Sequence, residues 1–204
     1  MKNPILHILL AGLLVLLVSS RSPYKVVNTA VTSSSVTLDL LYTGTEEYHI
    51  KPTSPIIKNL RFLFRTYTFN DFDFKIIDSK KERFEVPQEG IFPIDPLKNF
   101  SFPINISAVK FEYTENPFDF RIIRKSNNAI LFSTYEGNFT YSDYYLEIST
   151  VISNEYIYGL GERFNSGFRL RDGKWTIFNR DRGQVIDKGQ GYQTYGYYPF
   201  YLQR

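Results

Sequence analysis

Phenylalanine recurs at every second position in two separate runs. In "DFDFKIID", Phe72, Phe74 and Ile76 alternate with Asp71, Asp73 and Lys75. In "PFDFRIIRK", Phe118, Phe120 and Ile122 alternate with Asp119 and Arg121. A period of two places one set of side chains on each face of an extended backbone, and a helix cannot do this. Each run is followed by a turn and a return. Ser79-Lys80-Lys81 leads back through Phe84 and Val86, and Asn127-Asn128 leads into Ala129 to Phe132. That is the antiparallel hairpin pattern. "SVTLDLLYTG" repeats the alternation with Val36, Leu38 and Leu40 against Thr37 and Asp39, and "YYLEIST" is a further strand candidate. From Arg21 onward no stretch has a helical period. Strands with one apolar face must lay it on a second layer. The expected fold is therefore all-β, a β-sandwich built from residues 21–204 as one domain. An aromatic content of 17% suits half-buried pleated surfaces.

The first twenty residues differ. "MKNPILHILLAGLLVLLVSS" carries Lys2, then an apolar run from Ile5 to Val18, then small residues. This is the layout of a secretory signal peptide over residues 1–20, too short for a stable membrane span. Secretory entry agrees with three N-glycosylation sequons, at Asn99, Asn105 and Asn138. The expected location is the secretory pathway, extracellular or lysosomal/vacuolar. The chain has no cysteine, so stability comes from burial and not from disulfides.

Several chemistries are excluded. A net charge of +3 without a basic cluster gives no nucleic-acid footprint. Beyond His7 the only histidine is His49. One histidine and no cysteine make a zinc site implausible, and no nucleophile-elbow motif accompanies His49. A mutarotase-type histidine acid with a carboxylate base would have to pair His49 with the distant Glu162 or Asp181. Gly189 and Gly191 lack the third glycine of a phosphate cradle, since Thr194 stands there. No metal or cofactor is called for.

Carboxylates remain. Asp172-Gly173 and Asp187-Lys188-Gly189 read as turns. Glu162 follows Gly159-Leu160-Gly161, and both structural and functional roles fit it. Asp181 follows Trp175, Phe178 and Arg180 and opens a long polar loop. A carboxylate among aromatic rings suits a sugar, whose hydroxyls donate to it while an apolar face packs on the rings.

"YIYGLGERF", "WTIFNRD" and "YGYYPFYL", preceded by "FKIIDSKKERFEVP" and "NPFDFRIIRKSNNAILFST", together resemble the N-terminal domain of glycoside hydrolase family 31, the α-glucosidases and their relatives. The resemblance runs from about Val31 to Leu202. It implies a galactose-mutarotase-like sandwich ahead of a catalytic (β/α)₈ barrel. It also implies a substrate-binding segment of Asp181 and Arg180, in which Asp181 hydrogen-bonds substrate hydroxyls, Arg180 and Asn179 support the loop, and Trp175 is a packing residue. Arg163 and Tyr198 stand where the family often has histidine. The catalytic aspartates of such enzymes lie on the barrel, and a retaining mechanism needs both. The chain is thus expected to hold no catalytic residue and to lack the sandwich's last strands. It would be the front portion of an α-glucosidase-like enzyme whose partners are an α-glucoside-like carbohydrate and the barrel of the same polypeptide or of a longer paralogue. The competing expectation is a free-standing carbohydrate-binding module without hydrolase activity.

Overall fold

The computed structural model describes residues 22–44, 54–85, 100–152, 156–164, 167–170, 172–178, 192–193, 195–196 and 198–203. Residues 1–20, read above as a signal peptide from their sequence, and His49 lie outside them. Four antiparallel strands make the first sheet in chain order: β1 (Tyr24–Val31), β2 (Ser35–Tyr42), β3 (Asn59–Thr66) and β4 (Phe72–Asp78). A second sheet holds β5 (Val109–Glu115), β6 (Phe118–Arg124) and β7 (Ile130–Ser133), also antiparallel and in order. A short ribbon, β8 (Phe139–Tyr141) with β9 (Leu146–Ile148), closes one side. The described residues contain no α-helix, only a 3₁₀ turn at Ile104–Ile106. The all-β sandwich expected from the alternation is the observed fold.

Register explains why the two sheets meet as they do. Leu38 stands opposite Phe62, and Phe62 opposite Ile76. One row up, Val36 faces Phe64 and Phe64 faces Phe74. In the second sheet Phe111, Ile122 and Phe132 form a matching row. Because side-chain direction has period two, these pairings put Val36, Leu38 and Leu40 of β2, Leu60, Phe62 and Phe64 of β3, and Phe118, Phe120 and Ile122 of β6 on the inner face. Leu38, Leu60, Phe62, Phe64 and Ile122 are fully buried as a result. The Phe62 ring sits at the centre, with Phe120, Phe111, Phe118 and Phe74 at centroid distances of 4.8, 5.5, 5.5 and 6.0 Å. Burying one such ring stabilises the fold by about 1.5–3 kcal/mol. Tyr24, from the first strand, joins this core and donates its hydroxyl to the Ile57 carbonyl at 2.7 Å.

The outer faces carry ion pairs directly across the ladders. Asp39 faces Arg61 at 2.9 Å, Asp73 faces Arg65 at 2.7 Å, and Glu112 faces Arg121 at 2.6 Å. Exposed pairs of this kind contribute about 0.2–1 kcal/mol each.

Two details differ from the alternation pattern. Residues 82–85 return from the β4 turn without forming a strand, and Phe84 is 88% exposed. Val86 lies outside the described residues. The cause is local: Asp78 accepts from the Lys80 and Lys81 amides at 2.9 and 3.2 Å and from the Arg83 guanidinium at 3.1 Å. Arg83 also reaches Asp143 in the β8–β9 turn at 2.8 Å. The segment is thus held by charge across to another ribbon and not by a ladder to β4. The second difference is Asp119, which occupies the polar face of β6 yet is 3% exposed. It accepts from the Thr134 hydroxyl at 3.1 Å, so the group is buried with partners.

Candidate functional site: a short-strand frame in the C-terminal third

The tripeptide Asn179-Arg180-Asp181 and the loop through Gly191, including Asp187, lie outside the described residues. The structure therefore does not test the expected sugar contacts of Asp181 and Arg180. It does describe the segments that precede and follow those residues in the chain. "YIYGLGERF" supplies two short strands, β10 (Ile157–Gly159) and β11 (Arg163–Phe164). β11 pairs with β12 (Tyr192–Gln193), which immediately follows the loop, and β10 pairs with β13 (Tyr201–Gln203). Segments far apart in sequence are thereby joined as neighbours.

The glycines make this close pairing possible. Gly159, Leu160 and Gly161 all have positive φ, at 117°, 60° and 86°. A Cβ on Gly159 would sit 2.5 Å from the Phe200 carbonyl oxygen, so no side chain fits there. The chain curls around that carbonyl: Leu160 donates its amide to Phe200 O at 2.7 Å, and Glu162 donates to Gly196 O at 2.8 Å. Leu160 in the left-handed region is uncommon for a residue with a branched side chain, and its backbone hydrogen bond helps to hold it there. Glu162 itself is exposed, which places its carboxylate in solvent beside the frame.

A second brace comes from Arg169. It forms an isolated bridge with Tyr158, and its guanidinium lies 5.2 Å from the Tyr156 ring centroid. Leu170 donates its amide to Ile157 O at 2.8 Å and is buried. Asp172 and Gly173 form an exposed bend rather than a hairpin between strands. Trp175 is half-buried, in keeping with a packing residue, while Tyr198 is exposed. Sequence reasoning missed the strand pairing of "YGLGERF". Each strand is only two or three residues long, too short for alternation to show. The signal that could have found it was the Gly-x-Gly itself.

Two of the three sequons are described, and they differ. Asn105 is exposed in the 3₁₀ turn. Asn138 is half-buried at the start of β8, and its amide nitrogen donates to Glu147 Oε1 at 3.1 Å. Among the described residues, no three acidic or histidine side chains converge to hold a metal ion.

Two antiparallel sheets with a shared aromatic core make this an all-β sandwich domain of the galactose-mutarotase-like class. The model of the "Glycosyl hydrolase 31 N-terminal galactose mutarotase-like domain" matches residues 53–204, and the chain belongs to this family. It is 41% identical over 146 residues to "Sucrase-isomaltase, intestinal" of Suncus murinus, which covers 68% of this chain and 8% of that protein. It is 34% identical over 176 residues to "Lysosomal acid alpha-glucosidase" of Tetrahymena pyriformis, covering 85% of this chain and 19% of the relative. A "Probable alpha/beta-glucosidase" of Aspergillus fumigatus is 31% identical over 181 residues, covering 86% and 19% respectively. The chain thus spans less than a fifth of the length of these relatives. No helix among the described residues is long and apolar enough to cross a membrane.

Proposed function

We propose that this chain is the non-catalytic front portion of a secretory-pathway α-glucosidase-like glycoside hydrolase. In this reading residues 1–20 are its signal peptide and residues 21–204 its sandwich domain. Asp181 accepts hydrogen bonds from hydroxyls of an α-glucoside, and Arg180 steadies the loop. The observation that carries the reading is the frame: β11–β12 and β10–β13 brace the segment that follows residues 179–191, within a chain of the hydrolase family. A substrate-contacting loop needs its flanking segments fixed, since a misplaced contact forfeits its transition-state benefit.

Hydrolysis then requires carboxylates supplied by a further part of the polypeptide, the proposed barrel. Support comes from exposed apolar side chains around the frame. Phe168, Phe200 and Leu202 are 94%, 67% and 57% exposed. A two-stranded ribbon in water is marginal, and an apolar surface of this kind marks an interaction site.

The test is the mass of the native protein. An antibody against residues 21–204 is used on source-cell extract after glycan removal. A species several-fold heavier than 23.9 kDa supports the reading, while one at or just below 23.9 kDa overturns it in favour of a free-standing carbohydrate-binding module. In the heavier species, Asp181→Asn is expected to lower kcat/KM about tenfold or more, the loss of a hydrogen bond to a charged group. Unchanged kcat/KM removes Asp181 from the substrate site.

A further inference from the structure

A cleft beside the 3₁₀ turn takes no part in that reading. It has a volume of about 660 Å³ and is lined by Phe69, Asn70, Phe72, Asn105, Ile106 and Arg124, among others. Its apolar walls are open to water: Phe69 is 55% and Ile106 57% exposed. The backbone under Asn105 is tied down. Lys125 Nζ donates to the carbonyls of Ile104, Asn105 and Ser107 at 2.9, 3.0 and 2.8 Å. The Ser107 hydroxyl lies 2.9 Å from Ile104 O and 3.0 Å from Val109 O. Ala108 donates its amide to Phe69 O at 2.7 Å, which fixes the Phe69 loop against the turn. An exposed asparagine amide therefore stands on a rigid turn at the edge of an aromatic cleft.

We propose that Asn105 carries an N-linked glycan and that its first N-acetylhexosamine lies in this cleft, with Phe69 and Ile106 against its apolar face. The donor class is an oligosaccharide linked to a lipid diphosphate. The Asn105 amide nitrogen forms a bond to the sugar C1 as the C1–oxygen bond to the diphosphate breaks. The lipid diphosphate leaves with the electron pair, and the amide proton passes to the transferring enzyme's base. Aromatic and aliphatic faces pack well on pyranose C–H groups, and covering them removes apolar surface from water. Asn70 and Arg124 on the cleft's rim offer hydrogen-bond partners for the acetamido and hydroxyl groups.

Asn138 makes the contrast. The sequon hydroxyls do not separate the two sites, since Ser107 and Thr140 are both buried, at 2% and 5% exposure, but the Asn138 amide is engaged by Glu147. Phe139, between Asn138 and Thr140, belongs to the core. A glycan there has to displace a cross-strand contact, whereas at Asn105 it covers an open apolar surface.

The proposal rests on the secretory-pathway reading, so the test separates the two. The full 204-residue chain is produced in eukaryotic cells in two forms. One has its own amino terminus, and the other has a cleavable secretory leader fused ahead of Met1. Enzymatic deglycosylation in ¹⁸O-water, followed by peptide mass mapping, reports occupancy at each sequon. Asn105 is expected to be occupied in most molecules of the leader-fused form, at several times the occupancy of Asn138. Glycan at Asn105 in the leader-fused form alone refutes the native secretory route and leaves the Asn105 assignment standing. An unmodified Asn105 in the leader-fused form, or Asn138 occupied as fully, overturns it.

The cleft is tested by stability. Protein trimmed to one sugar should melt about 2–4 °C above the Asn105→Gln variant, and Phe69→Ala should abolish the difference. Ile106→Ser serves if Phe69→Ala does not fold. Equal melting of the trimmed protein and Asn105→Gln refutes the seating of the sugar.

Discussion

Phe62 lies in β3 and Phe200 one residue before β13, and both belong to segments paired antiparallel to a neighbour. Phe62 is fully buried, with four phenylalanine rings around it. Phe200 is 67% exposed, and Phe168 and Phe178 resemble it at 94% and 62%. The two regions have similar aromatic side chains and similar strand pairing. What separates them is the second layer. The sandwich has an opposing sheet to receive its rings, and the described residues of the C-terminal third form ribbons with no such sheet. Hydrogen-bonded pairing alone gives a strand its shape, and burial of a face against another layer gives it stability. The stable region is thus the platform, and the C-terminal third is a surface held ready by backbone contacts.

The largest expected effect removes one layer's edge. Deleting residues 22–44 takes away β1 and β2 and with them Tyr24, Val36, Leu38 and Leu40 of the core, although the family model starts only at residue 53. Each lost Leu-sized contact costs about 2–5 kcal/mol against a total stability of about 5–15 kcal/mol. The remainder should show no cooperative unfolding transition in denaturant; a normal transition would mean that the sandwich begins at residue 53. Next, Phe62→Ala should cost about 3–5 kcal/mol in urea unfolding. A loss under 1 kcal/mol would place the centre of the core elsewhere.

Gly159→Ala should sharpen the contrast. Its Cβ would approach the Phe200 carbonyl oxygen to 2.5 Å at a φ of 117°. Strain of about 1–3 kcal/mol should open the β10–β13 ribbon locally. Hydrogen exchange at the Leu160 amide should accelerate while the sandwich amides stay protected. Uniform acceleration across both regions would show that they unfold as one unit.

Arg83→Ala, which leaves Asp78 without its guanidinium, should cost about 1–3 kcal/mol. Its pH dependence carries a sign. Burial pushes the Asp78 carboxyl up, but the Lys80 amide, Arg83 and the Lys81 amide outweigh it and hold the pKa below its ordinary value. A depressed carboxyl stabilises the fold above its ordinary unfolded pKa of about 3.9 and loses that contribution as pH falls through the lower folded value. The difference between wild type and Arg83→Ala should therefore be full near neutrality and shrink below about pH 4. A difference that grows in acid would refute the clamp. The smallest effect is Phe200→Ser, expected to change sandwich stability by less than about 0.5 kcal/mol. A loss comparable to that of Phe62→Ala would erase the distinction between the regions.

The strands β2, β4, β6, β7 and β9 are legible as alternating runs, and β3 carries the same signal in Leu60, Phe62 and Phe64 between Arg61 and Arg65. The return through Phe84 was misleading because two alternating residues also fit a loop, and the side chains of Asp78 and Arg83 decided the matter. Asp119 shows the limit of facing rules. Alternation places it opposite Phe118 and Phe120, yet it is buried against Thr134 while Arg121 on the same face stays 42% exposed. In the C-terminal third, "YIYGLGERF" and "YGYYPFYL" contain strands that pair, and the pairing rests on backbone contacts between Gly159 and Phe200.

The amino-acid sequence by itself determined which residues share a face, where turns interrupt the chain, and that no helix is needed to bury the apolar set. These depend on neighbours two positions away and on local backbone preferences. Only the tertiary structure decided that Phe62 is central and Phe200 peripheral, that Arg83 ties two ribbons together, and that Asn105 stands free while Asn138 is engaged. Burial and hydrogen bonding are set by groups distant along the chain, and a period-two pattern is the same whether or not a second sheet arrives to cover it.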